Sequence, residues 1–197
     1  MAGALGNDLA VLITEIEANV SHAESLGAGL SREQFNWRPE AGRWSIGECL
    51  AHLNTVNGGD LAALREAIEA GIARRETGEG PFTYGLLSRK FVASMELPVK
   101  RKFKAPKYYQ PPPESDTAET LAEYRRIAAE IRRLAQSAAG LNLARVKTRL
   151  PALPALLRAM LRMPLGARLE LITTHDRRHL WQAEQVRNHP DFPRAEH

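Results

Sequence analysis

The stretch GARLELITTHDRRHLWQAEQVRN, residues 166–188, decides how the chain is read. It predicts a long closing helix whose inner face holds Arg168, Leu171, His175, His179, Gln182 and Val186. His175 and His179 are four apart, about 400° of helical rotation, so they stand one above the other on that face. The spacing suits a metal ion. It also resembles the H-E-x-x-H signature, with Asp176 in place of the glutamate. A third ligand has to come from another part of the chain.

Working outward, three more long helices are expected. Residues 5–27 place Leu5, Leu9, Leu12, Ile16, Val20 and Ala23 at helical spacing, with Gly27 and Gly29 as stop signals. SREQ at 31–34 has the capping-box pattern of a short helical turn, which the proline of WRPE (37–40) ends. WSIGEC at 44–49 starts the second long helix, with Ser45 as N-cap, Glu48 at N3 and a staple between Trp44 and Cys49. It runs to about Gly71 in spite of Gly58 and Gly59. Residues 72–114 form a long excursion, with a helical piece around LLSRKFVASM and a proline-locked connection in KAPKYYQPPPES. Ser115 or Asp116 caps the third long helix, striped by Leu121, Tyr124, Ile127, Ile131 and Leu134 and ended by Gly140. A short extended piece, RVKTRL, follows, and Pro154 opens a short apolar helix that Pro164 terminates. The pattern is all-α: a four-helix bundle with a long excursion between helices two and three, in a single domain over residues 1–197.

A chain with 44% hydrophobic and 25% charged residues and a net charge of +4 has an ordinary globular composition. No apolar run approaches the roughly 18 residues that span a bilayer, so no membrane partner is expected. The N-terminal segment, with Asp8, Glu15 and Glu17, reads as an amphipathic helix and not as a signal peptide. The single cysteine, Cys49, excludes an internal disulfide and fits a cytoplasmic protein; it reads as a small buried hydrophobe. In KRKFKAPKYY, the aromatics Phe103, Tyr108 and Tyr109 interleave with basic residues, as in proteins that stack single-stranded bases. The favoured reading is a solvated connection whose aromatics pack back on the bundle or wall a pocket, so no nucleic-acid partner is expected.

The third ligand candidate is His52, about two turns into the second long helix. A bundle brings inward faces of different helices together, so His52, His175 and His179 give a three-nitrogen set. Three protein ligands with a fourth position for water is the arrangement of catalytic zinc sites. His22, off its apolar stripe, His189, just before Pro190, and His197 at the C-terminus are poorer candidates. Ser45 and Glu48 share the His52 face but are accounted for as a cap. Gln182, placed to bond a ligand or water, and Arg178, placed to hold an anionic substrate group, are the candidate catalytic residues. Asp176 as a general base would give metalloprotease-like hydrolysis; the favoured reading pairs it with a nearby arginine.

Three stretches together resemble the DinB-like superfamily: LSREQFNWRPEAGRWSIGECLAHL at 30–53, YYQPPPES at 108–115 and THDRRHLWQAEQV at 174–186. Their W-S-I-G-x-x-x-x-H-L and H-x-x-R-H-x-x-Q patterns are specific together and unspecific apart, and the resemblance covers nearly the whole chain. It implies a four-helix bundle, often a homodimer, holding one divalent metal ion by three histidines, here His52, His175 and His179. Zinc or nickel is the expected ion. Known activities among such proteins include thiol-dependent transfer and isomerisation with bacillithiol, mycothiol or glutathione, and others are named metal-dependent hydrolases. The expectation is a metal-dependent enzyme acting on small molecules, with a low-molecular-weight thiol as partner and hydrolysis second. The alternative is a non-catalytic metal-binding or dimerising module.

Overall fold

The structure, a computed structural model, describes residues 9–99, 105–151 and 161–193. The expected periodic stretches become its long helices: α1 (Leu9–Gly27), α3 (Ile46–Ala73), α5 (Thr117–Ser137) and α6 (Leu165–Arg187). Two short helices, α2 (Arg32–Asn36) and α4 (Leu86–Ala93), lie between them, and the described chain is mostly helical. The capping signals are all used. Ser31 and Gln34 close a capping box on α2, Ser45 and Glu48 another on α3, and the Asp116 carboxylate accepts from Glu119 N–H on α5. Gly58 and Gly59 do not break α3, because its flanking turns bury Leu53, Asn57, Asp60 and Leu64.

α1 and α3 each pack against both α5 and α6. One buried cluster joins Leu12, Leu64, Ile127, Ile131 and Leu169; a second, toward the start of α3, joins Leu26, Phe35, Leu50, Leu53, Tyr124 and Leu180. A third cluster of Tyr84, Val92, Met163, Ala167 and Leu171 seats the α4 excursion on α6. That seat needs a glycine. A Cβ on Gly166 would lie 1.8 Å from the Tyr84 hydroxyl oxygen, so no larger residue fits there without displacing the excursion.

The chain after α5 departs from expectation. The extended piece RVKTRL is realised as β1 (Lys147–Arg149), which pairs antiparallel with β2 (Arg162–Pro164). The expected end of a short helix at Pro164 is therefore a strand end that leads directly into α6; residues 154–160 of that expected helix lie outside the described residues, as do Leu5 and His197. Pro164 has no side-chain cap to offer α6. The first helical N–H groups are satisfied from elsewhere: Leu165 N–H donates to Val146 O at 2.9 Å and Gly166 N–H to Leu143 O at 3.1 Å. The two short strands are thus the device that fixes where α6, and the histidines on it, begin. Among the described residues no helix is long and apolar enough to cross a membrane.

Candidate metal centre

His52 is set by the start of α3. Ser45 Oγ accepts from Glu48 N–H at 3.0 Å, and Glu48 Oε2 accepts from Ser45 N–H at 2.9 Å. Arg38 adds a two-pronged bond to the same carboxylate, at 2.7 and 2.5 Å. Glu48 is therefore a capping and anchoring residue, as expected, and not a group aimed at the histidines. Gly47 allows the close contact beneath: a Cβ there would meet the Phe35 ring at 2.9 Å.

From this start, His52 reaches the two histidines of α6. The ring centroids are 5.3 Å apart for His52 and His175, 4.7 Å for His52 and His179, and 4.7 Å for His175 and His179. One ring nitrogen from each can be chosen so that all three lie within 4.8 Å of one another. Two outer partners orient the rings. His52 Nδ1–H donates to the Tyr109 carbonyl at 2.7 Å, and His179 Nδ1–H donates to Gln182 Oε1 at 3.1 Å. Each bond fixes its proton on Nδ1 and leaves the Nε2 lone pair for a ligand, the usual arrangement behind a metal-binding imidazole. Trp44 covers the cluster, its ring centroid 4.9 Å from that of His52 and stacked 5.6 Å from that of His179.

All three imidazoles are held neutral. Burial lowers the pKa of His52, opposed by its bond to Tyr109. Burial, and then the charges of His52, Arg168 and Arg178, push His175 down to about 3. Burial and the two neighbouring histidines carry His179 well below its ordinary value. Neutral imidazole is the ligating form, so the donor set fits a divalent cation in number, type and protonation.

The cluster lies in the wall of a cavity of about 1040 Å³. Trp44, Val56, Phe91, Met95, Leu171 and Ile172 supply apolar surface; Gln182, Arg178, Asn57, Asp60 and Arg168 supply polar groups. Gln182 and Arg178 thus face the same space as the histidines, as the helical spacing predicts. Arg178 is buried and bonds the Ser94 carbonyl at 3.2 Å, tying α6 to the residue that follows α4. Tyr109 walls the cavity, as the aromatics of the excursion were expected to; Tyr108 is exposed, and Phe103 lies outside the described residues.

Asp176 behaves differently from both of its sequence readings. It is buried between α3, α5 and α6, accepting from Asn57 Nδ2 and from the Tyr124 hydroxyl, each at 2.8 Å. Burial raises its pKa to about 7 against those two bonds. The residue is neither paired with an arginine nor part of the cavity lining, because one residue of helix turns it about 100° away from His175. Sequence reasoning missed Asp60, buried and paired with Arg168, and the Tyr109 carbonyl. Asp60 lay eight residues after His52 on the same face, a readable signal; a backbone carbonyl leaves none. The discounted residues stay apart: His22 lies 4.0 Å from Glu184, His189 packs on Trp37, and Cys49 is fully buried.

The family model described as the DinB superfamily matches residues 15–183, a span that includes His52, His175 and His179. Comparisons with curated proteins and with solved structures give no significant match.

Proposed function

We propose, from the premise that this chain belongs to the DinB superfamily, that it binds one divalent metal ion through His52, His175 and His179. On this reading it is a metal-dependent enzyme acting on small molecules. The observation that carries it is the convergence of three neutral imidazoles, two of them steered by outer hydrogen bonds, on the wall of a large cavity. Three imidazoles suit zinc or nickel. When bound, such an ion supplies Lewis acidity that makes a thiol or a water nucleophilic at neutral pH. The four long helices serve as a four-helix bundle that holds the ligating faces in register.

Thiol transfer is favoured over hydrolysis by one feature of the cavity. Among the described residues that line it, Asp60 is the sole carboxylate, and Arg168 holds it. Asp176 is committed to Asn57 and Tyr124. The site therefore offers no ready general base to a water, whereas a thiol ionises more easily and needs less help. In this reading Arg178 holds an anionic part of the substrate, Gln182 holds the His179 ring while presenting its amide to the cavity, and Trp44 keeps water off the histidines. The reading includes a homodimer working in the cytoplasm with a low-molecular-weight thiol.

Elemental analysis of the native protein, followed by assays with and without thiol after restoring that metal, tests this. One ion per chain, lost in His52→Ala and kept in His22→Ala, together with thiol-dependent turnover of a small electrophile, is the expected result. Full metal content in His52→Ala would overturn the site. Thiol-independent turnover would move the chemistry to hydrolysis.

A further inference from the structure

Four buried side-chain atoms have no hydrogen-bond partner among the described residues: Asn54 Oδ1, Asn57 Oδ1, Asp60 Oδ2 and the Tyr84 hydroxyl. Two of the four belong to residues that line the histidine cavity, Asn57 and Asp60. These side chains are almost wholly buried, at 2% and 1% exposed. They stand three apart on α3, so they are neighbours on one face. A buried acceptor without a donor is costly, and two side by side call for donors that the described chain does not supply.

The way each group is held decides which atom is left over. Asn57 spends its amide nitrogen on Asp176, which does not line the cavity, and its oxygen remains. Asp60 gives Oδ1 to Arg168 and keeps Oδ2. Burial raises the Asp60 pKa, and the Arg168 charge and bond oppose that, so the ion pair is what favours the carboxylate. Both leftover atoms are therefore acceptors.

The surroundings narrow the donor. Arg43, Arg168 and Arg178 line the cavity, against Asp60 as the sole carboxylate among the described lining residues. That excess of positive charge disfavours an ammonium group and leaves neutral donors. Val56, Leu171 and Ile172 add apolar surface to the same space, which suits an organic molecule better than a lone water. Asn57 and Asp60 follow His52 by five and eight residues, about 8 and 12 Å along the helix axis. A small molecule can reach them with one end while its other end lies at the histidines.

We propose that Asn57 Oδ1 and Asp60 Oδ2 form a second polar subsite of this cavity, which takes adjacent hydroxyl groups at one end of the substrate. As a substrate subsite it rests on the reading of the cavity as an active site, so its test goes through binding and not through metal or turnover.

The full chain, freed of any metal by chelation, is titrated with cis-cyclohexane-1,2-diol and with cis-1,2-dimethoxycyclohexane. The second compound keeps the ring and both oxygens but donates nothing. Affinity is read from the Asn57 side-chain amide resonances. The diol is expected to bind saturably, and the diether at least about tenfold more weakly. The preference should persist in His52→Ala, so a failed metal site and a failed subsite give different results. In Asp60→Asn the amide oxygen can stay with Arg168 while a donor replaces Oδ2; the diol should weaken by about tenfold or more and lose its advantage. The comparison of the two ligands on the unaltered chain decides the matter even if that variant does not fold. Equal affinity for diol and diether, no saturable binding of the diol, or shifts that spare Asn57 would overturn the proposal. So would a crystal structure with water on both oxygens that the diol fails to displace.

Discussion

Two polar clusters in the cavity wall are built from the same two helices and come to opposite ends. In one, His52 of α3 meets His175 and His179 of α6. In the other, about two turns away along α3, Asp60 meets Arg168 of α6. Asp60 and Arg168 are both buried, whereas His175 and His179 are only partly so. Burial by itself therefore does not mark a site. In the ion pair the Arg168 guanidinium donates to Asp60 Oδ1, while Asp60 Oδ2 is buried with no hydrogen-bond partner among the described residues. In the histidine cluster the hydrogen bonds are made on the far side of the rings, and the remaining lone pairs are left to converge. What separates the clusters is charge: the Asp60 carboxylate is neutralised by a cation of the chain itself, whereas three neutral imidazoles converge with lone pairs that can take up a cation from outside.

The largest effect that separates the two clusters should come from Arg168→Met. It strands a buried carboxylate and should cost about 3–5 kcal/mol in denaturant unfolding, while the protein that remains folded keeps its metal stoichiometry. Adding Asp60→Leu should restore most of the loss, because an apolar pair of similar volume replaces a desolvated one. Loss of metal without loss of stability in the single variant would break the distinction.

The mirror experiment is His175→Ala. Metal affinity, read by competition with a chelator, should fall by more than about a hundredfold, beyond the range seen when only an outer partner is removed. The metal-free variant should unfold at nearly the same denaturant concentration as the metal-free parent. Removing that outer partner, with Gln182→Leu, should lower affinity by about tenfold, since His179 then loses the acceptor that fixes its proton. An unchanged affinity would make Gln182 a bystander.

Smaller effects sharpen the outer edges of the comparison. Ser45→Ala removes a buried cap and should cost about 0.5–2 kcal/mol, with metal affinity nearly unchanged. Glu170 lies on α6 between the two clusters, and its charged neighbours are Glu15 and Glu96. Burial first, and then those two acids, raise its pKa to about 7 from 4.5. The folded protein therefore holds this proton more tightly than the unfolded chain. The stabilisation is complete below pH 4.5 and is lost as pH rises toward 7. Thermal melts across that window should show Glu170→Gln less sensitive to rising pH than the parent, by a modest amount because the residue is only partly buried. An identical pH dependence would mean that Glu170 is ordinary in the folded protein.

Much of the helical skeleton could be read from residues close together in sequence. Ser31 with Gln34 and Ser45 with Glu48 named two helix starts, and four-residue spacing named the inner face of α6. The region from Arg145 to Pro164 was legible only in part. RVKTRL looked extended, but its partner strand, Arg162–Pro164, carries no alternation of its own and exists because β1 lies beside it. Asp176 was misread for a related reason. Its arginine neighbours in sequence, Arg177 and Arg178, point to Glu15 and to Ser94, while Asn57 and Tyr124 come to it from other helices.

What the sequence determined by itself were interactions within one or two helical turns: caps, stripes, and the stacking of His175 over His179. These depend on the 3.6-residue repeat and on hydrogen bonds between near neighbours, which any window of the chain contains. Only the tertiary structure decided that His52 meets that pair, that the Tyr109 carbonyl turns the His52 ring, and that Asp60 rather than Asp176 takes an arginine. Those outcomes depend on the rotation and register of α3 against α6. That register comes from side chains far apart in the chain that share buried clusters, such as Leu64 with Leu169 and Leu53 with Leu180.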